Sequence, residues 1–252
     1  MKALRNNLIA ALFWLGVWHA LSQLMNNELL LPGPGAVLSR LAQLALTGAF
    51  WVVTGTSLLR ILLGTVLAVA AGTLLAAACC RIPLLDILSR PMVTIVKSTP
   101  VASFIILLIL WVGRDVLPAV IVVLMVLPVV WSNVCAGIRN TDLQLLRTAR
   151  VFRFSRLRTL RRVYIPSVMP YFLSACRTAL GLAWKAGIAA EILTVPAVSI
   201  GKRLAESKTY LETVDLFAWT LTVIVCSLLI EKVLMAAIGR LGKRYALGGE
   251  EA

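Results

Sequence analysis

The chain has 252 residues, of which 60% are hydrophobic, and a mean hydropathy of +0.92; a soluble domain carries roughly 45–50% apolar residues. This much apolar surface cannot be hidden in one water-soluble core of that length. The 25 Lys and Arg against 11 Asp and Glu fit nucleic acid, an anionic membrane surface or cytoplasmic loops, and where they fall along the chain decides among these.

A membrane-crossing helix needs about 20 mostly apolar residues. The first candidate is 8–24; Lys2 and Arg5 before it resemble a signal peptide, but Met25-Asn26-Asn27-Glu28 offers no small-residue cleavage site, so a retained span is expected. Leu31-Pro32-Gly33-Pro34-Gly35 then turns the chain. Val37, Leu38, Leu41, Leu44 and Ala45 follow at helical spacing, which predicts a short helix at the outer membrane face. The second span is 53–80. In it Gly64, Ala68, Gly72 and Ala76 recur every fourth residue, a stripe that lets another helix come close. The third, 91–112, contains Pro100 and is expected to be broken or kinked. The fourth is 116–136, with Pro128 inside; the fifth is 168–193 and the sixth 216–238.

With both termini inside, fifteen Lys and Arg fall on the cytoplasmic side and five outside, which is the positive-inside bias. Topology therefore accounts for the charge, and nucleic-acid binding is not required. Cys79, Cys80, Cys135, Cys176 and Cys226 lie in or beside apolar runs without a C-x-x-C pair and are expected as buried small residues. The single His19 supports neither a His-rich metal site nor catalysis by histidine. The chain carries no Gly-rich phosphate motif ending in Gly-Lys-Ser/Thr, so any ATP that drives it binds another chain. No cofactor, catalytic residue or metal is expected.

The longest cytoplasmic loop, 137–167, carries eight arginines. Asp142 is placed to cap a helix, along which Leu143, Leu146, Ala149 and Phe152 form an apolar stripe with Arg147 and Arg150 off it. From these residues alone three readings stand: a helix lying on anionic lipid, a docking helix for a cytoplasmic partner, and an RNA-binding patch, the last without an aromatic stacking platform.

The loop also resembles the Glu-Ala-Ala signature of ABC importer permeases. The triplet falls on Arg147, Thr148 and Ala149, the signature Gly on Arg153, and after nine residues Val163-Tyr164-Ile165-Pro166 closes it. Ala149, Pro166 and the spacing match; the Glu and the Gly do not. Leu31-Pro32-Gly33-Pro34, Ser57-Leu58-Leu59-Arg60 with Gly64, and Ala179–Trp184 with Ala190-Glu191 are similar to stretches of nitrate/sulfonate/taurine-type permeases, in the same order. The resemblance implies an all-α membrane protein of about six transmembrane helices with the type I ABC importer transmembrane-domain fold, in one domain spanning 1–252. It implies a plasma (inner) membrane location and a permease that takes a small solute from an extracytoplasmic solute-binding protein. The solute is a nitrate-, sulfonate- or taurine-like anion, or a heterocycle such as a thiamine precursor. It implies two cytoplasmic ATP-binding subunits and a second permease copy. Leu143, Leu146, Arg147, Thr148, Ala149, Phe152, Arg153 and Pro166 are then the coupling residues. Arg153 is expected to lack the freedom of Gly at positive φ.

Charges at membrane depth are costly and face a bundle interior or a cavity. Lys97, Arg177, Lys185 and Glu191 stand out. Lys97-Ser98-Thr99-Pro100 is a candidate translocation path: the proline frees backbone groups, the hydroxyls can replace them, and the ammonium favours an anion. Equally, Lys97 pairs with Glu191 to hold two helices together. Arg177 supports the loop or snorkels. Glu191 shares a face with Ala183 and Gly187, which points to a packed interface or to the translocation path, and Trp184 is a further path candidate. A membrane enzyme would need converging His, Asp or metal ligands inside the spans, which this chain lacks; a channel or secondary transporter would have no use for the loop.

Overall fold

A computed structural model describes residues 2–246, where all regular structure is helical. Helix α1 is Lys2–Met25, α2 Pro34–Ala45, α3 Gly48–Arg81, α4 Pro83–Ser98, α5 Val101–Leu108 and α6 Leu117–Arg139. Then come α7 Leu143–Val151, α8 Arg156–Thr159, a π turn Leu160–Tyr164, α9 Ile165–Thr194, α10 Ile200–Thr209 and α11 Thr213–Ala246. The expected short helix is α2, opening on Pro34, whose fixed φ suits a first turn. The Thr47 hydroxyl accepts the Phe50 N–H and starts α3.

Among the described residues, α3, α6 and α11 are each long and apolar enough to cross a membrane, and α4 with α5 makes a fourth span bent by 102°. The break expected at Pro100 is there, because proline blocks the helix; the start of the span is what is corrected, since α4 begins at Pro83 rather than near Pro91, which lies inside it. The six-span reading adds α1, of 24 residues, and α9, of 30. Composition alone does not count α9, because it carries Arg177, Lys185 and Glu191, yet it packs along the length of α6.

Helix α6 is the centre of the bundle, between α3 and α9. The small stripe of α3 makes the first contact: Gly64, Ala68, Gly72 and Ala76 are all buried. A Cβ on Gly64 would lie 2.8 Å from the Ala119 carbonyl oxygen, and one on Gly72 3.0 Å from that of Leu127. On the antiparallel α9, Gly137 meets Tyr171 near one end and Val122 meets Gly187 near the other. Helix α5 seats Ile105 among Leu117, Ile121, Ala186 and Ala190. Helix α11 closes the third side: Trp219 stacks on Phe50 at 5.3 Å, and the Trp184 indole N–H donates to the Val223 carbonyl at 3.2 Å. Ion pairs fix opposite ends. Asp86 of α4 binds Arg90 and Arg139 at 2.6 and 2.7 Å, at the end where the arginines gather, hereafter the basic end. Arg40 of α2 binds Asp215 of α11 at the other.

Candidate functional site

The basic loop folds into a capped helix. The Asp142 carboxylate accepts the Gln144 N–H at 2.7 Å, as its position predicts. At the far end the Phe154 N–H reaches the Ala149 carbonyl (2.9 Å) and the Arg153 N–H the Arg150 carbonyl (3.0 Å), a Schellman stop. Its left-handed position is Arg153, at φ 48°. The arginine therefore adopts the conformation that the sequence suggested only Gly would take easily, at a cost of about 1–2 kcal/mol. The expected stripe is divided. Ala149 is buried and Leu146 half-buried, whereas Leu143 and Phe152 are exposed, together with Leu145, Arg147, Thr148 and Val151. Where the loop closes, Pro166 has no N–H to give the Arg162 carbonyl; just before it the Ile165 N–H reaches back to Leu160, and the π turn absorbs the mismatch.

The break after α4 is locally satisfied. The Ser98 and Thr99 hydroxyls both donate to the Ile95 carbonyl, at 3.1 and 2.8 Å. The Lys97 ammonium donates to the Ser132 hydroxyl at 2.6 Å, and that hydroxyl donates to the Pro128 carbonyl. Lys97 therefore does not pair with Glu191; that expectation is overturned, because Glu191 has a nearer cation. Ser132 lies five residues from Gly137, which touches Tyr171, so Lys97 stands at about the level of Arg177 on the antiparallel α9.

On α9, Ser174, Arg177, Thr178, Gly181 and Lys185 form one stripe at helical spacing, and all five are exposed. Among the described residues neither Arg177 nor Lys185 has an ion-pair partner. The stripe lies roughly 135° round α9 from Ala183, Gly187 and Glu191, the face packed on α3. Sequence reasoning singled out both cations but did not join them into a face with Ser174, Thr178 and Gly181.

Glu191 is fully buried in a knot at the end opposite the basic loop. Its carboxylate accepts from the Ser57 hydroxyl (2.7 Å), the Arg60 guanidinium (2.5 Å) and the Gly201 N–H (3.3 Å). Ser57 in turn accepts the Ile200 N–H at 2.9 Å. The carboxylate thus sits on the N-terminus of α10, where the helix dipole favours negative charge. The chain returns here through Val195, at φ 48°, and Pro196. Gly201 is held so close to Glu191 that a Cβ would overlap its backbone. Arg60 was missed as a partner because 131 residues separate it from Glu191; its place within an apolar run was the available signal. Trp184 is likewise buried, against α11.

Comparison with known proteins agrees with this architecture. A family model described as "binding-protein-dependent transport system inner membrane component" matches residues 64–247. A probable ABC transporter permease protein of Brucella melitensis biotype 1 is 29% identical over 93% of this chain and 95% of its own length. A taurine transport system permease protein of Escherichia coli (strain K12) is 25% identical over 90% of this chain and 85% of its own. A crystal structure of an amino acid ABC transporter with histidines superposes with a TM-score of 0.58 at 15% identity, covering 76% of this chain and 94% of that one, a likeness of fold.

Proposed function

The chain belongs to the family of binding-protein-dependent transport system inner membrane components, with the type I importer fold, and from that we propose that it is the permease of an importer for a small anion, driven by ATP hydrolysis on a separate chain. It is a transporter subunit of the inner membrane. The observation that carries the anion reading is the cationic face: Lys97, Arg177 and Lys185 are exposed on the single chain within its spans, without an acidic partner among the described residues. Bare in lipid, each is costly by about 3 kcal/mol or more. A water-filled path between two copies of this chain removes that cost, and the same charges draw an anion. Ser98, Thr99, Ser174 and Thr178 add hydroxyls to the path, while Trp184 and Glu191 act from behind it. Taurine, named for one relative, carries a sulfonate of this kind, and nitrate is a smaller case; a thiamine-precursor heterocycle gains nothing from three cations.

In this reading the basic end is cytoplasmic, with both termini on that side, and the exposed face of α7 docks on the ATP-binding subunit, one per permease copy. A solute-binding protein delivers from the opposite side. Arg147, at the position of the signature Glu, makes the docking surface more basic. The test is uptake by the complex reconstituted with its ATPase and binding protein, offered taurine, nitrate and a thiamine precursor. Lys97→Met and Arg177→Met are expected to cut anion uptake tenfold or more. Unchanged uptake in both, or uptake of the heterocycle alone, would sink the anion reading.

A further inference from the structure

Helices α3 and α9 are tied together at Glu191 and part toward the basic end, with α6 as the floor between them. The wedge they leave is a cavity of about 620 Å³. Its walls are Ala77 of α3, Val134 and Ile138 of α6, and Leu160, Val168 and Phe172 of the π turn and α9. The polar groups that reach it are few, and Thr73 already donates to the Val69 carbonyl. Nothing inside is built to hold a water-soluble ligand.

The mouth is different. Arg81, the last residue of α3, and Tyr164 stand at the rim. Arg81 is exposed and has no acidic partner among the described residues; Arg161 and Arg162, beside Tyr164 in the chain, are exposed as well. Because Arg81 ends a spanning helix, the rim lies at headgroup level with Leu160, and the walls beneath it, Ala77, Val134, Val168 and Phe172, lie in hydrocarbon. The groove also faces away from the cationic path: on α6, Val134 and Ile138 are roughly 130° round from Ser132 and Arg139, which face α4. A second copy laid across the path leaves the groove to the bilayer.

We infer that this groove is a binding site for one anionic phospholipid, with an acyl chain between α3 and α9 and its phosphate on Arg81. An apolar slot in hydrocarbon below an unpaired guanidinium matches a lipid at both ends, and a zwitterionic headgroup matches only the lower one. The leaflet is the cytoplasmic one in the orientation proposed above, but the site stands without that orientation or the solute assignment.

The test places the full-length chain, with the partners that copurify, in phosphatidylcholine vesicles. These carry equal traces of phosphatidylglycerol and phosphatidylcholine bearing a photoactivatable acyl chain, present in both leaflets. Crosslinks are mapped by mass spectrometry. Phosphatidylglycerol is expected to label peptides holding Ala77, Val168 or Phe172 roughly fivefold more than phosphatidylcholine, the effect of about one basic residue at a membrane surface. Arg81→Gln is expected to bring that ratio near one while acyl labelling persists. Ala77→Trp, which fills the slot, should remove groove labelling by both lipids and leave it unchanged at the exposed Leu63 and Leu67. Equal labelling by the two lipids in the unaltered chain, or groove labelling no stronger than at Leu63 and Leu67, overturns the assignment. So does a protein–protein crosslink covering Ala77 in place of lipid.

Discussion

Replacing Glu191 by Gln removes a charge from a fully buried knot and strands Arg60, whose side chain is only 12% exposed. Taking one partner from a buried ion pair costs about 3–5 kcal/mol. The low end applies here, because Gln keeps an oxygen for Ser57 and the Gly201 N–H, and Arg60 retains the Val198 carbonyl at 3.4 Å. About 3 kcal/mol corresponds to a fall in thermal midpoint of roughly 6–12 °C for a chain of this size. The assay is the midpoint of the detergent-purified protein, read by tryptophan fluorescence or by the fraction surviving size exclusion after heating. Arg60→Met alone should fall comparably, since it strands the carboxylate. Arg60→Met with Glu191→Gln should lose much less than the sum, because neither charge is then buried alone. Additive losses, or a midpoint moved by less than about 2 °C in Glu191→Gln, would refute the account of the knot as a coupled pair.

Three other outcomes are expected. Arg153→Gly relieves the left-handed residue at the end of α7 and should stabilise the loop by about 1 kcal/mol, seen as slower proteolysis after the nearby arginines; Arg153→Val should do the reverse. Gly72→Ala drives a methyl toward the Leu127 carbonyl and the Val130 side chain and should cost about 1–3 kcal/mol, read as a lower thermal midpoint and yield. Leu143→Asp or Phe152→Asp, both on the exposed face of α7, should lower capture of a copurifying ATPase at least tenfold while the thermal midpoint stays put. Ala149→Asp would not distinguish docking from folding, because Ala149 is buried within the loop.

What the sequence disclosed is what local periodicity and spacing govern. The Gly64–Ala76 stripe announced a close helix crossing because four small residues fell on one face. Asp142 announced the start of α7, and Pro100 the break between α4 and α5. What it hid depends on partners far along the chain. Lys97 and Glu191 looked like a pair because both are charges in spans, but Arg60 reaches Glu191 first and Lys97 is left on Ser132. Helix α10 owes its place to two N–H groups, of Ile200 and Gly201, received by Ser57 and Glu191, 143 and 10 residues back in the chain, and spacing within the helix gives no sign of them. The cationic face of α9 was hidden in plain view, since Arg177 and Lys185 were weighed one at a time instead of as neighbours on a turn.

The knot at Glu191 makes α3 and α9 a pair of tongs joined at one tip. From Glu191 to Ile165, α9 runs 26 residues, about 40 Å, with the joint at the far end and the basic loop at the handle. A rotation of α9 by about 5° about that joint moves the handle by about 3.5 Å and hardly disturbs the joint. A force applied to α7 would therefore act on this joint through a long arm, and at the joint Ser57, Arg60 and Glu191 hold α3 and α9 together.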